Sequence, residues 1–308
     1  MKSKFLAVSN TFHTAQSPLT RRQFIARGAL CGGAALLLQP RNIFAAEAAP
    51  TGQRVFVTAH SFHNFVPQRL GTLAKIAGIK NHQLVGSQMI GGSKTIQHWD
   101  LADDRNKAKE ALNGGQVDVL TMSPHMTYMP DDGIEHFVEL GLRHNPKMRF
   151  LVQQSWPIFD GWLPEEKIAT VEQRDTRSLD IVRVANKRFH DAIDTQIGDL
   201  NKKLGHETVF LVPAGDAIMK LREHIAAGTA PGLTKQSDLF NDLVGHGKTP
   251  LIVLTTYCNF ACIYRVSPVG LKDSEPGLDA LSPELKPLLQ KIAWDAVIAE
   301  PKSGVKAS

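Results

Sequence analysis

From Gln53 onward, short runs of β-branched and other apolar residues alternate with stretches in which apolar positions recur every three or four residues. A strand buried on both faces gives the first kind of run, and an amphipathic helix gives the second. The pattern predicts strands over 54–59, 83–89, 117–122, 149–154 and 208–212. Helical spacing lies between them, over 65–77 (Phe65, Leu70, Leu73, Ile76), 134–143 (Phe137, Val138, Leu142) and 177–204 (Leu179, Val182, Phe189, Ile193, Ile197). Residues 250–264 are almost wholly apolar, as a buried helix would be. Ser282, ahead of Pro283 and Glu284, is placed to cap a last helix that runs to Ile298. Strands alternating with helices specify an α/β domain, a three-layer α/β/α sandwich around a central parallel sheet. No repeat and no Gly/Ser- or Pro-rich linker divides 49–308, so this stretch reads as a single domain. Chemistry in such sheets collects beyond the carboxyl ends of the strands, which directs attention to the loops at Ala59, Ile90, Met122, Gln154 and Val212.

Residues 1–48 follow a different pattern. Ser17-Pro18-Leu19-Thr20-Arg21-Arg22-Gln23-Phe24-Ile25 resembles the twin-arginine export consensus, and an apolar run from Gly28 to Leu38 follows it. As a helix that run spans about 16 Å, too short for a hydrocarbon core of about 30 Å, so it reads as the apolar region of a signal peptide and not as a stable membrane anchor. Ala45-Ala46-Glu47-Ala48-Ala49 offers small-residue cleavage sites ending at Ala48 or at Ala45. The expected location is periplasmic or secreted, with the twin-arginine translocase as the partner during export.

The leader also changes the meaning of the charge. The chain of 308 residues has 43% apolar and 21% charged content and a formal net charge of +5. Lys2, Lys4, Arg21, Arg22, Arg27 and Arg41 stand against Glu47 alone in the leader, which leaves 29 of the 35 basic and 29 of the 30 acidic residues for the rest. A neutral body removes the compositional support for nucleic-acid binding. Of the three cysteines, Cys31 lies in the leader, whereas Cys258 and Cys262 stand four apart in an apolar helical segment, where two small buried residues are expected in place of a disulfide or a metal pair.

Three places could carry chemistry. Ser61 follows the first strand in Ala59-His60-Ser61-Phe62-His63, where amides of the following helix are available to an oxyanion, although a serine there equally suits a helix N-cap. Gly91-Gly92 follows the second strand and would let backbone approach a ligand, or would simply make a turn. Asp242 precedes the glycine-flanked His246 just before the apolar helix, and a histidine oriented by a carboxylate can take a proton from a hydroxyl. The competing role for this pair is a capping Asp242 and a loop-packed His246.

The order of these elements, together with Thr256-Tyr257-Cys258-Asn259-Phe260, resembles the SGNH hydrolase superfamily, the GDSL-type esterases, and more narrowly exported SGNH-like proteins of environmental bacteria such as planctomycetes. That resemblance spans 55–264 and implies a flavodoxin-like sandwich and ester hydrolysis through an acyl-enzyme. Carried over by position, Ser61 would be nucleophile, His246 base and Asp242 its orienter, with Gly91 or Gly92 and the Ser61 amide as oxyanion donors. The chain departs from the family at Ala59-His60-Ser61 where Gly-Asp-Ser is usual, at an Asp–His interval of four where three is usual, and at Ser123-Pro124-His125 where an oxyanion Asn is usual. His125 or Ser123 would have to replace that Asn. His60 and His63 beside Ser61, and Trp156, are the candidate substrate contacts; Trp156, Phe159 and Trp162 form either an aromatic platform for a sugar ring or ordinary core.

The expected function is cleavage of a carboxylic ester, such as an acyl or acetyl ester of a carbohydrate, without a cofactor. The alternative is a carbohydrate- or ligand-binding protein on the same scaffold, favoured by the eroded motifs. A metal site at His60, His63, His125 and His246 has no ligand signature behind it, and none is expected.

Overall fold

Five strands carry the alternating apolar residues: β1 (Arg54–Ala59), β2 (Gln83–Met89), β3 (Val119–Met122), β4 (Arg149–Gln153) and β5 (Val209–Val212). They form one sheet, wholly parallel, in the order β2-β1-β3-β4-β5. The computed structural model describes residues 50–125, 129–272 and 281–306, and the predicted leader lies outside the described residues. Residues 48–308 make one compact unit.

Successive side chains in a strand point to opposite faces, and two separate cores follow from that period. Val55, Val57, Leu151, Phe210 and Val212 face one core, which α1 (Val66–Ile76), α7 (Ala214–Ala226), α8 (Thr249–Tyr264) and α9 (Leu285–Ala299) cover. Phe56, Leu120, Met122, Phe150, Val152 and Leu211 face the other, under α3 (Lys107–Asn113), α4 (Asp132–His144) and α6 (Leu179–Leu204). The result is the flavodoxin-like three-layer sandwich, with its switch point between β1 and β3. Two short helices, α2 (Thr95–Trp99) and α5 (Val171–Thr176), lie in the connections.

The periodic stretch 177–204 begins as a helix only at Leu179, because Ser178 accepts from the Asp180 amide at 3.2 Å and caps α6 there. The last helix starts at Leu285, whose amide donates to Ser282 Oγ at 3.1 Å. The hydrophobic pattern predicts no helix at α2, α3 or α7. The first two are short, and α7 opens from Pro213 without a side-chain cap to announce it. Cys258 and Cys262 are free and fully buried in α8, and burial raises both thiol pKa values. No helix of the described residues is long and apolar enough to cross a membrane.

Candidate active site

The turn after β1 presents Ser61, and its helix does not use it. α1 begins after Phe65 with no side-chain cap, so the capping role foreseen for Ser61 is absent. Instead, Ser61 Oγ stands 3.0 Å from His246 Nε2, and His246 Nδ1 stands 2.6 Å from Asp242 Oδ2. A carboxylate only accepts, so the ring proton sits on Nδ1, and the Nε2 lone pair faces the serine hydroxyl, which donates to it.

The loop that carries His246 explains why an interval of four works. Asp242 Oδ1 accepts from the amides of Gly245 at 2.9 Å and His246 at 3.1 Å, which folds the loop back on the carboxylate and leaves Oδ2 for the ring. Gly245 makes the reversal with φ of +110°, a conformation side chains rarely adopt, and a Cβ there would stand 3.3 Å from Trp156 Nε1. The loop closes on itself through an antiparallel bridge between Phe240 and Gly247 and a 2.7 Å bond from the Asn241 amide to the His246 carbonyl. Asp242 feels opposing influences: burial works to raise its pKa, but the His246 ring and the two amides outweigh it and hold the carboxyl below its ordinary value.

Aromatic packing sets the imidazole plane. Trp156 stacks on Phe62 at 4.5 Å between centroids, and Phe62 meets the His246 ring edge-on at 5.4 Å. Trp156 Nε1 donates to the Gly245 carbonyl at 2.8 Å. Trp156 is 2% exposed and Trp162 is 6%, so neither offers a face to a sugar: the platform expectation is corrected to core packing, with Trp156 holding the histidine loop.

The two histidines beside Ser61 are likewise not substrate contacts. His63 is fully buried beneath the turn, with Nδ1 donating to Gln153 Oε1 at 2.6 Å and Nε2 accepting from Thr121 Oγ1 at 2.9 Å. His60 is 4% exposed; its Nδ1 accepts from the Phe62 amide and its Nε2 donates to Ser123 Oγ at 3.0 Å. Gln153 Nε2 donates to the Phe62 carbonyl at 3.0 Å, and Asn259 Nδ2 donates to Gln153 Oε1 at 2.9 Å. These groups hold the Ser61 turn from below. In the sequence, Gln153 and Thr121 carry one visible signal, a polar residue inside an apolar run, and Asn259 stands within the segment that carries the family resemblance without any sign of this role.

Gly91 and Gly92 are exposed in the turn after β2, next to β1, with Gly92 at φ of +58° and no atom within 4 Å of where a Cβ would sit at either. Among the described residues no hydrogen bond takes the amides of Ser61, Gly91 or Gly92. His98 Nε2 donates to Ser93 Oγ at 2.8 Å and steadies that turn. His125 is half-buried with its ring 6.3 Å from that of His60, and burial, then Lys167 and Lys94, lower its pKa. Side chains of His246 and Asp242 are 39% and 44% exposed, so the three residues stand at an open surface and not in a deep pocket.

Buried histidines give this region a pH signature. Burial drives the pKa of His60 down to about 3, with His125 and His63 adding to the effect, and those of His63 and His98 down to about 4. The folded state keeps them neutral while the unfolded chain takes up protons below about 6.5, so their stabilisation is full above that pH and is lost as pH falls towards 4. Each is expected to remove about 2 kcal/mol of stability between pH 7 and pH 5. Urea unfolding at the two pH values measures the loss, and His98→Gln should flatten the dependence by about one histidine's share. An unchanged slope in that variant would remove His98 from the account.

No family model matches the chain, and no curated protein matches it. Among solved structures it is similar to a DUF4886 family protein from Bacteroides uniformis, with TM-score 0.55 and 15% identity over 83% of this chain and 97% of that one, a likeness of fold. A candidate SGNH hydrolase from Slackia heliotrinireducens matches with TM-score 0.42 and 10% identity over 68% of this chain and 97% of that one.

Proposed function

We propose that the protein is a serine hydrolase of SGNH type that cleaves a carboxylic ester through an acyl-enzyme. The observation that carries this reading is the hydrogen-bonded line from Ser61 Oγ through the His246 ring to Asp242, assembled at the carboxyl end of β1. In the first step Oγ attacks the ester carbonyl carbon as its proton passes to His246 Nε2. Asp242 stabilises the imidazolium that forms. Collapse of the tetrahedral intermediate expels the alcohol, which leaves with that proton, and a water activated by the same nitrogen then releases the acid and restores Ser61. The amides of Ser61, Gly91 and Gly92 are the proposed oxyanion donors, with His125 in the part of the missing Asn. The open site suits an acyl group displayed on a larger carbohydrate.

A fluorophosphonate tests the reading without knowledge of the natural ester. Stoichiometric labelling mapped to the Ser61 peptide, with turnover of 4-nitrophenyl acetate, is expected. No label and no turnover across a panel of acyl esters and acetylated sugars would sink the hydrolase and leave the ligand-binding alternative.

We also propose export of the folded precursor through the twin-arginine route, on the strength of Arg21 and Arg22 ahead of a short apolar run. Replacing both with lysine should hold the protein in the cytoplasm, as fractionation would report. Normal export of the double variant would overturn the route and leave the hydrolase reading intact.

A further inference from the structure

Away from Ser61, three chain segments bring an imidazole and two carboxylates to one point. His190 stands midway along α6, Asp216 in the first turn of α7, and Glu300 directly after α9. One oxygen of each carboxylate is committed to the protein. Asp216 Oδ1 accepts from Asn186 Nδ2 at 2.5 Å and from Gln154 Nε2 at 3.3 Å, and Glu300 Oε1 accepts from the Lys302 amide at 2.7 Å. The other oxygens converge on the imidazole: Asp216 Oδ2 lies 2.8 Å from His190 Nδ1 and Glu300 Oε2 lies 3.4 Å from Nε2. One donor atom from each residue falls within 4.8 Å of the other two. Glu300 is 4% exposed, and a cavity of about 540 Å³, with Leu288 and Ile292 in its wall, opens on the group.

We propose that His190, Asp216 and Glu300 form a binding site for a divalent cation of the zinc class. Two carboxylates, one of them almost wholly buried, share a single imidazole, and a divalent ion matches the charge of that pair. One nitrogen and two carboxylate oxygens match zinc; calcium requires more oxygens, and magnesium disfavours imidazole. The bonds from Asn186, Gln154 and the Lys302 amide hold the carboxylates in place, as the hydrogen-bonding partners of metal ligands do. The cavity leaves room for water to complete the coordination. On binding, the ring nitrogen that ligates the ion gives its proton to solvent, so metal and proton compete for His190. The site shares no residue with the Ser61 machinery and is independent of the hydrolase reading.

Zinc titration of the chelator-treated full chain by calorimetry, with magnesium as control, tests the site. One zinc per chain with proton release is expected, magnesium should not bind, and His190→Asn and Glu300→Gln should each weaken zinc at least about tenfold. No binding at millimolar zinc would overturn the proposal in favour of an imidazolium clamped between two carboxylates. Equal affinity in both variants would overturn it in favour of surface histidines. Circular dichroism checks that the variants fold. X-ray absorption of the zinc-loaded wild type needs no variant: a single imidazole with oxygen ligands at roughly 2.0–2.2 Å is expected, and two or more imidazoles would overturn the assignment.

Discussion

Ser61→Ala should leave a folded protein whose turnover of 4-nitrophenyl acetate is lower by about six orders of magnitude, the loss typical when the attacking atom of such a triad is removed. Among the described residues, the side-chain oxygen hydrogen-bonded to His246 Nε2 is Ser61 Oγ. Asp242→Asn is the informative companion. Its amide oxygen still accepts from the Gly245 and His246 amides, so the loop keeps its shape, but its NH₂ now faces the ring and forces the proton to Nε2, where it blocks acceptance from Ser61. The expected loss is about four orders of magnitude, with fold and substrate affinity retained. Stopped assays and melting curves on the two variants decide it, and a Ser61→Ala protein that still turns over would remove Ser61 from the mechanism.

The largest effect on stability is expected from Asp160, which no part of the chemistry touches. Its carboxylate receives Arg222 through bonds of 2.9 and 2.8 Å and faces Arg174 Nε at 3.4 Å, with all three side chains buried. Arg174 continues upward to donate to the carbonyls of Asp242 at 2.6 Å and Leu243 at 2.8 Å, and its guanidinium lies 4.3 Å from the Phe240 ring centroid. Asp160→Ala leaves two buried guanidiniums without their anion, a change expected to cost about 3–5 kcal/mol. Arg174→Met keeps the Asp160–Arg222 pair, so it should cost less while still loosening the histidine loop and lowering turnover. Urea unfolding at neutral pH measures both, and a loss below about 1 kcal/mol for Asp160→Ala would show that solvent reaches the pair after all.

Strands β1, β3, β4 and β5 were legible because each is buried along its length, so β-branched and apolar runs mark them whatever the helices do, whereas β2 lies at the sheet edge and is largely exposed. Their ends moved by a residue or two where a polar neighbour begins or ends the ladder, as at Val119, Gln153 and Val209. The convergence of Ser61, Asp242 and His246 was legible because each is marked locally, by a serine after a strand and by glycines around a histidine. Arg174 was not, since its partners Asp242 and Leu243 lie far along the chain and nothing near residue 174 announces them. His60 and His63 failed in the opposite way: closeness to Ser61 in sequence suggested exposure, yet both rings are buried under the turn, and Trp156, an aromatic residue after β4, is covered by the histidine loop.

The proposed base and the carboxylate hydrogen-bonded to it belong to one short loop, whereas the proposed nucleophile arrives from the far end of the chain. Spacing between aspartate and histidine is therefore a private matter of that loop, free to drift by a residue without disturbing the serine, provided the backbone absorbs the extra length. Here Gly245 absorbs it by turning through positive φ. A search built on a fixed interval recognises one solution to this local problem; a glycine seated between the two partners marks another, and it is the feature by which more divergent chains of the same design can be found.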